Sequence, residues 1–142
     1  MNAPPVAKPL LAGAARGETL KLSAPLSFWG GIDPKTGRII QVRHPECGVS
    51  IAGRVLALPG TIGSSSSSAV LLELIRGGNA PAALVLHEPD AILLIGCLVA
   101  QEMGWHAPPA FQLETSLQAG LPDGPISISS AGEISSAKNE HH

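Results

Sequence analysis

A run of five serines at residues 64–68, which follows Gly60 and Gly63, is the part of the chain best suited to chemistry. Apolar residues 55–58 precede it, and apolar residues with helical spacing follow at 70–76. We therefore predict that the serines lie where a buried strand leads into a helix. We expect the first serines at the helix N-cap and in its first turn. The N–H groups there have no partner inside the helix and can bind a carboxylate or phosphate. A serine hydroxyl placed there could also take part in proton transfer.

Two other interpretations of the serine run are less consistent with its surroundings. Serine runs also form flexible linkers, but linkers usually lie between polar segments, whereas apolar segments flank this run on both sides. The run is not a P-loop, because Gly60 and Gly63 lack the four-residue gap and no lysine follows Gly63. An anion site at a strand–helix junction therefore stays the preferred hypothesis.

The composition describes one small domain with an unusually uncharged surface. Of 142 residues, 44% are hydrophobic and 14% are charged, against about 25% charged residues in an average domain. We expect such a domain to cover part of its surface with a partner. The net charge of -2 and the aromatic content of 3% provide neither a basic patch nor a stacking platform. We therefore expect no nucleic-acid partner.

The two cysteines and the chain termini add further expectations. Cys47 and Cys97 are far apart in sequence and make no metal-binding motif, so we expect no metal bound by this chain. The N-terminus lacks a basic segment followed by an apolar core, so no signal peptide is predicted. The longest apolar run, residues 91–100, is too short to cross a bilayer. A cytoplasmic protein without a membrane role follows as the expectation.

The rest of the pattern predicts a mixed α/β domain, with two main helices packed on a small mixed sheet or barrel. Asp90 is predicted to cap the second helix. A strand at 107–113 is expected at a sheet edge because of its prolines. The other predicted strands are at 9–15 and 19–22, split at Gly17 and Glu18, and at 26–29, 49–58, 81–87, 126–129 and 133–134. We expect a flexible arm at 1–8, the domain at 9–136 and a polar tail at 137–142.

Two polar loops contribute further candidate residues. Gly30 and Gly31 follow an aromatic pair, so the backbone can approach a ligand or partner closely there, although a plain turn explains them equally well. His44 stands before a proline in a loop, where a histidine is more often a structural hydrogen-bonding group than a catalytic one. We assign no role to His44.

Several segments together resemble the small subunit of aconitase X. The similarity covers about residues 8–115 and is carried by PLSFWGGID at 25–33, GRII at 37–40, RHP at 43–45, SIAGRVL at 50–56 and IGSSSSS at 62–68. The resemblance implies a β/β/α domain like the mobile swivel domain of aconitase. It also implies a large-subunit partner that carries an iron–sulfur or metal centre, over which this domain closes.

In function, the resemblance implies a hydro-lyase that removes water from a small hydroxy acid. Bacterial members act on cis-3-hydroxy-L-proline, giving Δ1-pyrroline-2-carboxylate, and an archaeal branch acts on mevalonate 5-phosphate. The unbroken serine run favours the bacterial branch and a place in hydroxyproline metabolism. A non-catalytic regulatory module that holds an anion at the same helix N-terminus is the alternative from another class.

The resemblance also assigns roles to residues. In aconitase-like swivel domains, the serine after the glycine at the loop–helix junction is the base, and here that serine is Ser64. Aconitase has an arginine two positions later, where this chain has Ser66. The substrate carboxylate must therefore be held differently. The expected substrate-binding residues are Gly63, Ser65, Gly30 and Gly31.

Overall fold

The computed structural model describes residues 3–137, so residues 1–2 of the predicted arm and 138–142 of the predicted tail lie outside the described residues. Its strands are β1 (Lys8–Leu11), β2 (Ala15–Lys21), β3 (Val55–Leu58), β4 (Ala83–Leu86), β5 (Ala110–Gln112), β6 (Pro125–Ile128) and β7 (Ile134–Ser136). Its helices are α1 (Phe28–Gly31), α2 (Ser67–Arg76), α3 (Ala91–Glu102) and α4 (Thr115–Gln118).

The described strands form one mixed sheet in the order β1-β5-β4-β3-β2-β6-β7. Strands β2, β3, β4 and β5 are mutually parallel, while β1 and β6 pair antiparallel with β5 and β2. From β3 through β4 to β5 the chain moves in one direction, so the connecting helices α2 and α3 lie on the same face of the sheet. They pack closely against each other there.

Both faces of the central strands are buried. Leu56, Leu58, Leu84 and Leu86 belong to the cluster under α2 and α3. The alternate positions of β3 and β4 pack on the other face with residues of β6 and with Leu121. Parallel strands that are covered on both faces consist of continuous apolar residues. For this reason β3 and β4 are recognisable in the sequence.

The predicted mixed α/β fold with two main helices is confirmed, as are the strands β3 and β4 and the closing β6–β7 hairpin. Three details of the prediction are wrong. The first is the split at Gly17 and Glu18, because β2 runs through both residues. A Cβ at Gly17 would come within 2.5 Å of the Gly53 carbonyl oxygen. The glycine therefore permits close packing of the strand and is not a turn.

The second wrong detail is the strand predicted at 26–29. Leu26 makes a single parallel bridge to Thr61, and the chain then turns into the short helix α1. Within α1 the φ angle of Gly30 is 81°, a left-handed conformation that interrupts any extended strand.

The third wrong detail is the edge position of the strand after the two prolines. β5 lies between β1 and β4. Pro108 and Pro109 precede its first residue, Ala110, so the N–H groups needed for the ladder are all present.

Part of the segment predicted as a flexible arm is packed onto the domain. Ala7 is buried, and its N–H donates to the Gly132 carbonyl oxygen at 3.0 Å. Lys8 already belongs to β1. The β6–β7 hairpin and the start of the chain therefore stabilise each other.

Candidate functional site

The serine loop, residues 59–66, connects the carboxyl end of β3 to α2. Helix α2 begins at Ser67 with Ser66 at the N-cap position, and the Ser66 side chain makes no capping hydrogen bond. Ser64 therefore lies in the loop and not in the first helical turn, which corrects the predicted register. The strand–loop–helix junction itself is as predicted.

Ser64 has the most structured surroundings of the three loop serines. Its Oγ accepts the Ser66 N–H at 3.2 Å, and its carbonyl oxygen accepts the Ser67 N–H at 3.0 Å. Ser64 is half-buried, whereas Ser65 and Ser66 are exposed. An N–H directed at a hydroxyl oxygen favours the negatively charged form, as does the nearby positive end of a helix. Of these serines, Ser64 is the one best placed to act as a base.

The loop that carries Gly30 lies beside the serine loop. The Leu26 N–H donates to the Gly60 carbonyl oxygen at 3.2 Å, and the Ile62 N–H donates to the Leu26 carbonyl oxygen at 3.2 Å. Helix α1, which follows Leu26, packs against α2. Gly30 is exposed, and a Cβ there would have no heavy atom within 4 Å. Gly30 and the serine loop thus border the same region of the surface.

Gly31 has a different position from its neighbour. It is buried, and a Cβ there would lie 3.1 Å from Gln41 Oε1 and 3.3 Å from Leu26 Cδ1. Its lack of a side chain therefore serves packing inside the domain. Gly63, by contrast, has open space on the Cβ side, like Gly30.

A cavity of about 390 Å³ lies at the carboxyl ends of β3 and β4, beside the start of the serine loop. The Asp90 carboxylate is one of its polar groups and confirms the predicted helix cap. Oδ1 accepts the N–H groups of Ile92 and Leu93, at 3.0 and 3.2 Å, while Oδ2 accepts the Thr61 hydroxyl at 2.6 Å. The cavity is lined by Leu58, Gly60, Thr61, Leu86, His87, Glu88, Pro89, Asp90, Ala91 and Ile92.

Sequence reasoning missed two of the polar residues in this cavity, Thr61 and His87. His87 Nδ1 accepts the Thr115 N–H at 2.9 Å, so the neutral ring carries its proton on Nε2. The signal that could have identified both residues is their position at the carboxyl ends of adjacent parallel strands, where ligands commonly bind.

His44 has a structural role, in keeping with the interpretation preferred from sequence. Its side chain is fully buried. Nδ1 accepts the Glu46 N–H at 3.0 Å, which leaves the proton on Nε2 for donation to the Ala24 carbonyl oxygen, also at 3.0 Å. Both ring nitrogens are thus used to hold loops together.

The described residues offer no donor set for a metal ion. Between residues 3 and 137, no three His, Cys, Asp or Glu side chains cluster with metal-binding geometry. Cys47 is exposed and Cys97 is buried. Burial raises the pKa of the Cys97 thiol to about 11, so it remains protonated at neutral pH. Over the same part of the chain, no helix is long and apolar enough to span a membrane.

Exposed apolar side chains lie on the two loops and on the segment that follows α1. Trp29 is 59% exposed and Val42 is 86% exposed, and Ile40 and Ile62 are also largely exposed. Ile40 is tied to the α1 loop, because its N–H donates to the Gly31 carbonyl oxygen at 2.9 Å. We call Trp29, Ile40, Val42 and Ile62 the apolar rim of the site.

Comparison with known proteins identifies the family. The sequence profile of the aconitase X swivel domain matches residues 6–134. The chain is 52% identical over 98 residues to cis-3-hydroxy-L-proline dehydratase of Pseudomonas aeruginosa, and the match covers 69% of this chain but 17% of that protein. It is 40% identical over 116 residues to the phosphomevalonate dehydratase small subunit of Methanopyrus kandleri, covering 78% of this chain and 85% of that subunit.

A solved structure agrees with these sequence matches. The crystal structure of aconitase X from Thermococcus kodakaraensis, in its holo form, superposes with a TM-score of 0.78 at 29% identity. The superposition covers 92% of this chain and 96% of the matched chain, so the two chains are of similar extent. The two proteins described above as similar in sequence are named as dehydratases. The chain itself belongs to the aconitase X swivel domain family.

Proposed function

We propose that this chain is the small subunit of an aconitase X-type hydro-lyase, in which Ser64 is the catalytic base. The observation that carries the proposal is the position of Ser64. It lies half-buried at the loop–helix junction of a swivel domain, with a backbone N–H directed at its hydroxyl oxygen. In this arrangement the basic oxygen of Ser64 would be stabilised by groups that need not move during the reaction.

The reaction that suits this site is elimination of water next to a carboxylate. Ser64, as its alkoxide, takes the proton on the carbon beside the carboxylate, and the hydroxyl group leaves from the neighbouring carbon. A metal or iron–sulfur centre in the large subunit would supply the Lewis acid for that hydroxyl. The Gly63 N–H and the Ser65 hydroxyl, on either side of Ser64, would bind the substrate carboxylate, and Gly30 would border the substrate.

The preferred substrate is cis-3-hydroxy-L-proline. Elimination gives the enamine, with its double bond between C2 and C3, and a shift of the ring N–H proton to C3 then gives Δ1-pyrroline-2-carboxylate as the product. The 52% identity to a dehydratase named for that substrate supports this choice. Mevalonate 5-phosphate is the second candidate. It is supported by the matches to separate small subunits, of which the chain covers up to 85%. The chain spans about a sixth of the hydroxyproline enzyme, and in this proposal a large subunit supplies the rest of the machinery.

The test is reconstitution with a large subunit of the aconitase X family. We expect the complex to dehydrate cis-3-hydroxy-L-proline with a kcat/KM at least about 10²-fold above that for mevalonate 5-phosphate. Neither subunit alone should turn over either compound, because each would hold only part of the site. A higher kcat/KM for mevalonate 5-phosphate than for cis-3-hydroxy-L-proline would instead indicate phosphomevalonate dehydration. An assembled, metal-loaded complex inactive on both compounds, together with tight carboxylate binding by this chain alone, would favour the anion-binding module.

The apolar rim is the surface proposed to contact the large subunit. Trp29 is its largest side chain, and buried tryptophans often dominate the free energy of association. We expect Trp29→Glu to weaken subunit association at least about 10-fold, because the charge would have to be desolvated at the interface. The dissociation constant can be measured by biolayer interferometry with immobilised large subunit.

The matched control for Trp29 is Met103→Glu. Met103 is also 59% exposed but follows the last residue of α3, at the end of the helix away from the serine loop. The control should bind like the wild type. Equal weakening by both substitutions, or by neither, would contradict the assignment of the rim as the contact surface.

A further inference from the structure

We propose that Thr61 and Asp90 are positioning residues, which together fix the serine loop on the N-terminus of α3 so that Ser64 is held in reach of the substrate. This inference rests on the proposed function, in which Ser64 is the base. Neither side chain is assigned a role in the elimination itself. Their effect on the reaction would pass through the backbone between Thr61 and Ser64.

The Asp90 carboxylate is held by three hydrogen bonds. Two come from backbone N–H groups in the first turn of α3, and both go to Oδ1. The third comes from the Thr61 hydroxyl to Oδ2 and is the shortest of the three, at 2.6 Å. Hydrogen bonds to a charged acceptor are shorter and stronger than neutral ones. A carboxylate fixed to the end of a 12-residue helix is therefore a rigid anchor for Thr61.

A second contact fixes the other end of the serine run. A Cβ at Gly96 of α3 would lie 3.3 Å from both Cα and the carbonyl oxygen of Ser68. The missing side chain at Gly96 lets α3 pack directly against the first turn of α2. Helix α3 thus holds the loop on both sides of Ser64, through Thr61 before it and through Ser68 after it.

Between these two contacts, one hydrogen bond joins the loop to a distant part of the chain, and the others stay within the loop and the start of α2. The Ile62 N–H bonds to Leu26, and Ser64 bonds to Ser66 and Ser67. Loss of the Thr61 hydroxyl would therefore loosen the segment that leads directly into Ser64, with the Ile62 N–H bond to Leu26 as its remaining long-range hydrogen bond. A displacement of about 1 Å in a reacting group can lower a rate about 10²-fold. Substrate affinity would change less, because the Thr61 proton is already donated to Asp90 and is not available to a ligand.

The experiment compares three variants in the reconstituted complex. Thr61→Val keeps the shape of the side chain but removes the hydroxyl, Thr61→Ser keeps the hydroxyl, and Thr19→Val is the matched control. Thr19 lies on β2 and donates its hydroxyl to the Pro122 carbonyl oxygen at 2.8 Å, so the control also deletes a threonine hydrogen bond. We expect Thr61→Val to lower kcat roughly 10–10²-fold with little change in KM. The other two variants should retain wild-type kcat.

A second measurement does not depend on activity. Amide hydrogen exchange of residues 62–67, followed by mass spectrometry on this chain, should be faster in Thr61→Val than in wild type, Thr61→Ser and Thr19→Val. Unchanged exchange, or equal loss of kcat in Thr61→Val and Thr19→Val, would overturn the positioning role. A wild-type complex without dehydratase activity, with faster exchange in Thr61→Val alone, would overturn the proposed function but uphold the restraint on the loop.

Discussion

Replacing Ser64 by alanine is expected to lower kcat of the reconstituted complex by about 10²–10⁴-fold, the usual contribution of a positioned proton-transfer group. Folding should survive, because the Ser64 hydroxyl accepts one backbone N–H at the surface of the loop, and such local bonds contribute about 1 kcal/mol. The measurement is steady-state kcat, with assembly checked by gel filtration.

The matched control is Ser66→Ala, the same substitution two positions along. It removes a hydroxyl that makes no capping bond but keeps the backbone N–H that donates to Ser64. We expect its kcat to stay close to that of the wild type. A fully active, assembled Ser64→Ala complex would exclude Ser64 as the base and would make Ser65 the next candidate.

The largest effect on stability is expected for Gly132→Ala. A Cβ at this position would overlap the backbone carbonyl oxygen of Ala7, and the φ angle of 86° is itself unfavourable for alanine. The substitution must either separate residues 3–7 from the hairpin or distort β6 and β7. We expect a loss of roughly 2–4 kcal/mol in the free energy of unfolding. The thermal midpoint should fall by about 5–15 °C in differential scanning calorimetry.

Gly78→Ala separates the two causes of this effect. Gly78 has a similar φ angle of 78°, but a Cβ there would have open space around it. The substitution Gly78→Ala should lower the free energy of unfolding by the backbone strain alone, about 1 kcal/mol. Equal destabilisation by the two substitutions would mean that the contact between the start of the chain and the hairpin contributes nothing to stability.

The strand–loop–helix junction could be predicted from sequence because run length and hydrophobicity determine it. The residue at which the helix starts could not be predicted. Five successive serines are all good N-cap residues, and their local preferences are nearly equal. In the structure the choice is made by tertiary contacts. Gly96 of α3 packs against Ser68, and Asp90 binds Thr61. The family resemblance identified Ser64 as the candidate base, but the local sequence did not place Ser64 before the helix.

The cavity residues illustrate a second limit of sequence reasoning. Thr61 bonds to Asp90 across 29 positions of sequence, and Thr115 bonds to His87 across 28. The local pattern of apolar and polar residues does not predict such hydrogen-bonded pairs, since they depend on β3, β4 and β5 being neighbours in the sheet. The buried strands β3 and β4 could be predicted, but the order of the strands could not, and the prolines before β5 wrongly indicated an edge position.

The close crossing at Gly96 has a consequence for building chimaeras of this family. One helix holds the serine loop on both sides of Ser64, through Asp90 at its cap and Gly96 in its interior. A serine loop transplanted alone from a relative would pack against an α3 whose residues do not fit that loop. Residues 59–68 and 90–96 therefore form a single unit of exchange, although β4 separates them in the sequence.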